Sequence, residues 1–354
     1  MIILHKNFSP ALLNWYWKSN IKFPWRNIVD PYKIWLSEVM LQQTRVSSAL
    51  PYFNRWIKAL PSPAAVVNAE EEVILKLWEG LGYYNRAKNF QRACAIIMNH
   101  HGGEIPNNEK QFITLPGVGP YICAAVMSIA FNAPLPAIDG NAVRVISRIH
   151  QISSVYPKSK KQITTILKKN IDPNNPGDFN QAIMDLGREI CKPLKPNCDQ
   201  CPIKKYCSSY VNNCVNKYPI RSMKPKKPHY CVATGIVWNN SKVLISKRNG
   251  DKLLGGLWEF PGGKIEQGEQ SIDCVVREIS EELNIQVKPL SLLGKIKHEY
   301  SHFAITMDVF NCKYLGGTPR AIGCADWQWI SPSEISTLPF PGASHKLFKY
   351  IRGT

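Results

Sequence analysis

The sequence predicts two domains, an all-α domain followed by an α+β domain, and three observations carry that prediction. Up to about residue 215, apolar residues recur at helical spacing, as in Ile34, Val39, Met40 and Val46 and again in Val73, Ile74 and Leu77. After residue 228 short runs alternate instead. Val232–Trp238 and Lys242–Lys247 read as a hairpin across Asn239, Asn240 and Ser241, and Phe303–Phe310 reads as a further strand. Between the two regimes, residues 216–228 read NKYPIRSMKPKKP, with three prolines, five basic residues and no acid, which is the composition of a linker. The expected boundaries are therefore 1–215, 216–228 and 229–354, and 354 residues at 44% hydrophobic suffice for two cores. Internal repeats and low-complexity tracts are not seen.

A formal charge of +18 predicts attraction to a polyanion. Nucleic acid fits better than a membrane surface, because no basic amphipathic anchor stands out and nowhere do eighteen apolar residues run uninterrupted. Near the start, Trp15, Tyr16 and Trp17 stand among polar residues, unlike an export signal. The expectation is a soluble intracellular protein in a reducing compartment, without a membrane partner.

Taken in order along the chain, the first helix of interest is WLSEVMLQQTRV at 35–46, where Glu38, Gln42 and Arg45 fall at helical spacing. On pattern alone these are the solvated face of an amphipathic helix. Residues 115–121 read LPGVGPY and lead into the small-residue helix ICAAVMSIA. Gly117 and Gly119 let the backbone turn tightly, and a helix starting at Pro120 aims free amides outward, a geometry suited to a phosphate. Some twenty residues later comes Asp139, in IDGNAVRVISR. Cys191, Cys198, Cys201 and Cys207 then follow as C-x6-C-x2-C-x5-C beside Pro193, Pro196 and Pro202. Four thiolates so close in sequence can converge on one metal centre, and the spacing alone admits structural zinc or an iron-sulfur cluster. Disulfides fit less well, since the other seven of the eleven cysteines are scattered singly.

In the second domain, Gly263, Glu269, Arg277 and Glu278 stand at fixed offsets within LWEFPGGKIEQGEQSIDCVVREISEELNI. Ile272, Val275, Val276, Ile279 and Leu283 form one stripe of a helix there. Glu278, Glu281 and Glu282 fall at i, i+3 and i+4 on another face, a candidate site for a hard divalent cation, Mg2+ or Mn2+. Asn284, at the end of the helix, tolerates the left-handed conformation that a terminating turn requires.

Together these motifs resemble a known family over nearly the whole chain. The ordered hairpin, Asp139 and cysteine spacing resemble the helix-hairpin-helix glycosylases of the endonuclease III superfamily, and residues 35–46 match the MutY branch almost letter for letter. The region from Leu257 fits the Nudix box and resembles MutT, with Asn284 where the box has glycine. The resemblance implies a helix-hairpin-helix glycosylase domain with a 4Fe-4S loop, followed by a Nudix-fold domain. It implies an adenine DNA glycosylase of base excision repair, acting on duplex DNA with adenine opposite 8-oxoguanine or guanine, as a monomer in the cytoplasm with the nucleoid. It implies Glu38 as general acid, Asp139 as stabiliser of the sugar cation, electrostatically or through a transient covalent bond, and Tyr121 and Asn141 as their positioning partners. Tyr121 stands where endonuclease III-type enzymes carry a Schiff-base lysine, so a monofunctional enzyme is expected and a glycosylase-lyase is not. Gln43 and Tyr83 match intercalating positions, Gly117 and Gly119 the DNA-gripping hairpin, and the four cysteines the cluster ligands. Tyr300, Ser301 and His302 match the lesion-reading loop, with tyrosine replacing phenylalanine. The near-complete box leaves open an alternative in which the second domain also hydrolyses oxidised nucleoside triphosphates.

Overall fold

The computed structural model describes residues 7–19, 21–221 and 226–351, so that residues 222–225 of the expected linker lie outside the described residues. The chain divides into two compact units, Met1–Val67 with Asn89–Lys224, and Asn68–Lys88 with Pro225–Thr354. In chain order the helices are α1 (Ser9–Lys18), α2 (Pro31–Leu41), α3 (Val46–Ala59), α4 (Pro63–Val67), α5 (Glu71–Trp78), α6 (Asn85–His100) and α7 (Glu109–Phe112). They continue as α8 (Pro120–Phe131), α9 (Gly140–His150), α10 (Lys160–Asn170), α11 (Pro176–Glu189) and α12 (Ser208–Val211), with α13 (Ser271–Leu283) among the strands. No described helix is long and apolar enough to cross a membrane.

The first unit is helical. One core lies where α1, α9, α10 and α11 meet, around Leu12, Leu13, Ile146, Leu167, Phe179 and Leu186. Another is aromatic: Trp35 of α2 packs on Phe90 with centroids 4.2 Å apart, and Phe112 of α7 meets Trp35 edge-on at 5.6 Å. Local chemistry sets the helix ends. Asp30 caps α2 by accepting from Lys33 N at 3.2 Å, with Pro31 in the first turn. α8 starts at Pro120 after an extended Gly119 and stops at Asn132 in the left-handed conformation. Seven consecutive buried residues, Ile122 to Ser128, make α8 a helix enclosed on most sides.

The second unit is built on a sheet of strand order β3-β2-β1-β6-β5, with β4 on β1 and β7 on β2. The strands are β1 (His229–Asn239), β2 (Lys242–Lys247), β3 (Trp258–Glu259), β4 (Gly262–Lys264), β5 (Gln286–Glu299), β6 (Ala304–Gly316) and β7 (Asp326–Ile330). The expected hairpin is present, closing at Asn239 opposite Lys242 with Asn240 at φ 54°. β1 runs parallel to β6, and residues 233–237 of β1 are buried on both faces. One face carries α13, with Val275, Ile279 and Leu283 packed on Ala233, Val237, Leu244 and Phe310. The other carries Phe340, Leu347 and Phe348 on Ile236, Ile245 and Val309. α13 passes over Gly235, where a Cβ would stand 2.9 Å from Ile279. The buried stripe of α13 is Cys274, Val275, Ile279 and Leu283, whereas Ile272 and Val276 are exposed. The helix is rotated from the stripe expected from sequence, because Cys274 is apolar enough to be buried in their place.

Helical spacing alone placed residues 68–88 with the first domain, and hydrogen bonds tie them to the sheet unit. Glu72 accepts from Lys247 Nζ and Trp258 Nε1, both at 2.8 Å, and Glu79 accepts from Phe340 N at 2.7 Å.

Candidate active site

In the first unit, α2 delivers Glu38 into the interior, where it is only 5% exposed. Tyr121, in the first turn of α8, donates its hydroxyl to Glu38 Oε2 at 2.6 Å, and Met184 Sδ lies 3.7 Å from the same hydroxyl. Burial pushes the Glu38 carboxyl above its ordinary range; the Tyr121 hydroxyl and the Arg26 charge pull it back, and the Asp139 and Asp185 charges push it up again. Burial and the adjacent Glu38 hold the Tyr121 phenol well above its ordinary value, so that it is neutral and a donor.

Asp139 is the N-cap of α9. Its Oδ1 accepts from Ala142 N at 2.7 Å and its Oδ2 from Asn141 Nδ2 at 2.6 Å. The N-terminal end of a helix favours negative charge. Burial raises this carboxyl, while the Ala142 and Asn141 donors and the Arg144 charge lower it. Its charge contributes to the raised values of the Glu38 carboxyl and the Tyr121 phenol.

Sequence reasoning missed the frame that holds this group. Arg144 donates to Asn141 Oδ1, Gly187 O and Cys191 O, all at 2.7 Å, bridging the Asp139 partner to the start of the cysteine loop. Gly187 is required there, since a Cβ would stand 2.5 Å from Asn141 Cβ. One turn on, Arg148 is 1% exposed and donates to Lys192 O at 2.8 Å, Tyr218 O at 3.0 Å and Cys191 Sγ at 3.2 Å. Asp185, also 1% exposed, pairs with Arg26 and Arg188, each at 3.0 Å, and Arg26 also donates to Gln181 Oε1. The available signal was the repeat of arginine at i, i+4 after Asp139, which by pattern is a solvated face.

The cysteine loop follows α11. Cys191, Cys201 and Cys207 pack with Ile203 against the core of α1, α9, α10 and α11, and none of the four cysteines is in a disulfide. Burial first, then the neighbouring thiols, push Cys201 up to about 12 and Cys207 to about 11. Backbone amides already point at the sulfurs, that of Ile203 at Cys201 and those of Tyr210 and Ser209 at Cys207. This donor set, with Arg148 on Cys191, suits thiolates whose charge a bound metal centre offsets. Among the described residues no three His, Cys, Asp or Glu side chains close on a single ion.

In the hairpin, Gly117 has φ 77°, and a Cβ there would stand 2.9 Å from Asn89 Cβ, whereas a Cβ on Gly119 would meet open space. The open side is where a phosphate can approach the amides of α8. Gln43 lies just past α2 and is exposed, with φ 57°. Tyr83, in the second unit, has φ 52°, and its ring meets that of His302 edge-on at 5.7 Å. A left-handed Gln or Tyr costs energy, and such residues concentrate at functional sites. Ser301 and His302 are exposed at a tight turn closed by Tyr300 N on Phe303 O at 2.8 Å. Tyr300 itself lies inward, its ring 4.6 Å from Phe303 and its oxygen on the Ala343 amide.

In the Nudix-like box, Arg277 grips Glu269 at 2.7 and 3.0 Å and also reaches Glu281 at 3.1 Å and Glu278 at 3.2 Å. A Cβ at Gly263 would strike the Glu278 carboxylate. Asn284 has φ 55°, the left-handed turn expected of it. The three expected acids do not point alike: Glu281 is 60% exposed, whereas Glu282 is half-buried with its Oε2 atom buried and unpartnered. Burial, then Glu259 and Glu278, push Glu282 up to about 7. Glu259, a fourth acid that the sequence reading missed, is held by Arg248 at 2.5 and 2.7 Å.

Residues 36–173 match the model of the HhH-GPD superfamily of base excision DNA repair proteins, and residues 233–350 match the NUDIX domain. An adenine DNA glycosylase of Buchnera aphidicola subsp. Acyrthosiphon pisum is 33% identical over 84% of this chain and 84% of its own length. The chain belongs to the adenine DNA glycosylase family. The adenine DNA glycosylase of Schizosaccharomyces pombe is 30% identical over 93% of this chain and 86% of its own. Among solved structures, a thermostable thymine-DNA glycosylase covers 58% of this chain and 95% of its own, with 30% identity and a TM-score of 0.53.

Proposed function

We propose that this DNA N-glycosylase hydrolyses the bond between adenine and deoxyribose where adenine is paired with 8-oxoguanine, and leaves the strand uncut. The observation that supports this most is the buried Glu38, held by the Tyr121 hydroxyl at 2.6 Å and influenced by the charge of Asp139, the N-cap of α9. Once the adenine is out of the stack, protonated Glu38 gives its proton to N7. The C1′–N9 bond then breaks, its electron pair leaving with the base, and the sugar acquires oxocarbenium character. The Asp139 carboxylate stabilises that charge. Water adds to C1′ and Glu38 takes its proton, which restores the acid. Tyr121 orients Glu38 and has no amine to form an imine, so the product is an intact abasic site. Gln43 and Tyr83 enter the duplex beside the vacated position. Ser301 reads the oxidised edge of guanine, and His302 reaches a phosphate. The chain works as a monomer on chromosomal DNA.

Cys191, Cys198, Cys201 and Cys207 would hold a 4Fe-4S cluster, which would brace the loop from residue 191 to 207 through its four bonds. The deciding experiment is single-turnover excision on duplexes with adenine opposite 8-oxoguanine, guanine or thymine. Excision is expected fastest opposite 8-oxoguanine, with strand breaks only after alkali. Equal rates opposite guanine and 8-oxoguanine, or borohydride trapping of a covalent complex, would overturn the reading.

A second reading is supported by Glu282, whose orphaned buried Oε2 beside Glu259 and Glu278 suits a divalent cation. Mg2+ or Mn2+ there would let this domain also act on oxidised nucleoside triphosphates.

A further inference from the structure

We propose that Asn180 is a positioning residue of the glycosylase reaction: from α11 it fixes the buried backbone of residues 135–137, and through it the place of Asp139 relative to Glu38. Asn180 is 2% exposed, and both its amide donors and its oxygen are engaged. Its Oδ1 accepts from Ala137 N at 3.0 Å, and its Nδ2 donates to Leu135 O and to Ser128 Oγ, both at 2.8 Å. These bonds join two things that the chemistry must keep in register. Ser128 belongs to α8, whose first turn carries Tyr121 and thereby Glu38. Ala137 lies two residues before Asp139, in a connection with no helix or strand of its own between α8 and α9.

The neighbours of Asn180 on α11 serve the same end. Gly177, Asn180, Met184 and Gly187 recur at i, i+3, i+7 and i+10, which is one face of the helix. Gly177 admits the backbone of α8, where a Cβ would stand 2.8 Å from Ile129 Cα and Ser128 O. Met184 touches the Tyr121 hydroxyl, and Gly187 admits Asn141. A small apolar cluster of Ala124, Ala125 and Ala137, with Tyr121, Leu135 and Met184 packed on it, fills the space between. One face of α11 thus gauges the acid half and the carboxylate half of the site against each other. A buried Asn that merely satisfies a loop would make the same bonds anywhere; here they end two residues from Asp139.

The proposal rests on the role given to Asp139 above, and the test separates the two. The full chain is assayed for its single-turnover rate constant on an 8-oxoguanine:adenine duplex, with burst amplitude counting active molecules. Affinity is measured on the same duplex carrying a 2′-fluorinated adenosine, whose electron-withdrawing fluorine resists cleavage. Asn180→Ala should lower the rate constant about tenfold or more with affinity within about threefold. Leu167→Ala, a cavity elsewhere in the same unit, should lower thermal stability and burst amplitude and leave the rate constant within about twofold. If Asn180→Ala does not fold, the isosteric Asn180→Asp decides: it keeps the acceptor for Ala137 N and loses both donors, and should slow excision about fivefold or more. An Asn180 variant within about twofold of wild type overturns the proposal, as does an equal loss in Leu167→Ala. Asp139→Asn excising near the wild-type rate would overturn the underlying reading instead.

Discussion

Glu38 is a buried carboxyl and Asp139 a partly exposed one, and their immediate partners give them opposite tasks. Asp139 accepts two hydrogen bonds at a helix start, which suits an anion, whereas at Glu38 burial and the Asp139 and Asp185 charges outweigh the Tyr121 hydrogen bond and the Arg26 charge, which suits a retained proton. A carboxyl raised above its ordinary value of 4.5 contributes stability that is fully present below that value and is lost as pH rises through the folded value. Glu38→Gln removes the titration while keeping an oxygen for Tyr121. The variant should therefore melt higher than wild type at pH 8, with the difference shrinking as pH falls toward the ordinary glutamate value. Its excision rate should fall on the order of a hundredfold or more while duplex binding persists. Thermal melts across pH, paired with single-turnover assays, check both, and a lower melting temperature at pH 8 would contradict the buried-acid account.

At the scale of elements, α9 links the chemistry to the cysteine loop, with its N-cap in the site and Arg144 and Arg148 on the loop. Few apolar side chains anchor that loop, Ile203 being its fully buried one, so bonds to a metal centre would carry much of its order. Purified protein should contain iron and absorb broadly in the visible. Cys198→Ser should bleach that absorption, expose the loop to proteolysis and weaken duplex binding, while stoichiometric zinc without iron would refute the assignment. Local pattern made some of this legible. The hairpin at Asn240, the left-handed Asn284 and the turn at Gly117 are dictated by residues adjacent in sequence. The arginine and asparagine contacts were not legible, because Arg144 meets Gly187 and Cys191, and Asn180 meets Ser128, Leu135 and Ala137, 43 to 52 positions away, and both look like ordinary polar helix residues. Tyr300 shows the same limit: its place in the motif was clear, yet its inward turn onto Phe303 and Ala343 depends on packing.

Over the whole molecule, a charge of +18 coexists with an acid cluster of Glu259, Glu278 and Glu282 in the second unit. Such a cluster would disfavour the phosphates of a duplex or a triphosphate unless a cation neutralises it. The protein neutralises part of it internally: Arg248 holds Glu259, and Arg277 holds Glu269 and reaches Glu278 and Glu281. Glu282 is offset only through the Arg248 and Lys252 charges, and its buried Oε2 makes no hydrogen bond. Glu282 is thus the ligand on which a divalent cation would depend, whereas Glu281 is exposed and already paired. With Mg2+ or Mn2+, the full chain should release pyrophosphate from 8-oxo-dGTP faster than from dGTP. Glu282→Gln should abolish that release and spare adenine excision, and Glu281→Gln should retain a measurable part of it. Release equal to buffer from wild type with either metal would make this domain a lesion reader with an inherited box; release that survives Glu282→Gln would place the cation elsewhere.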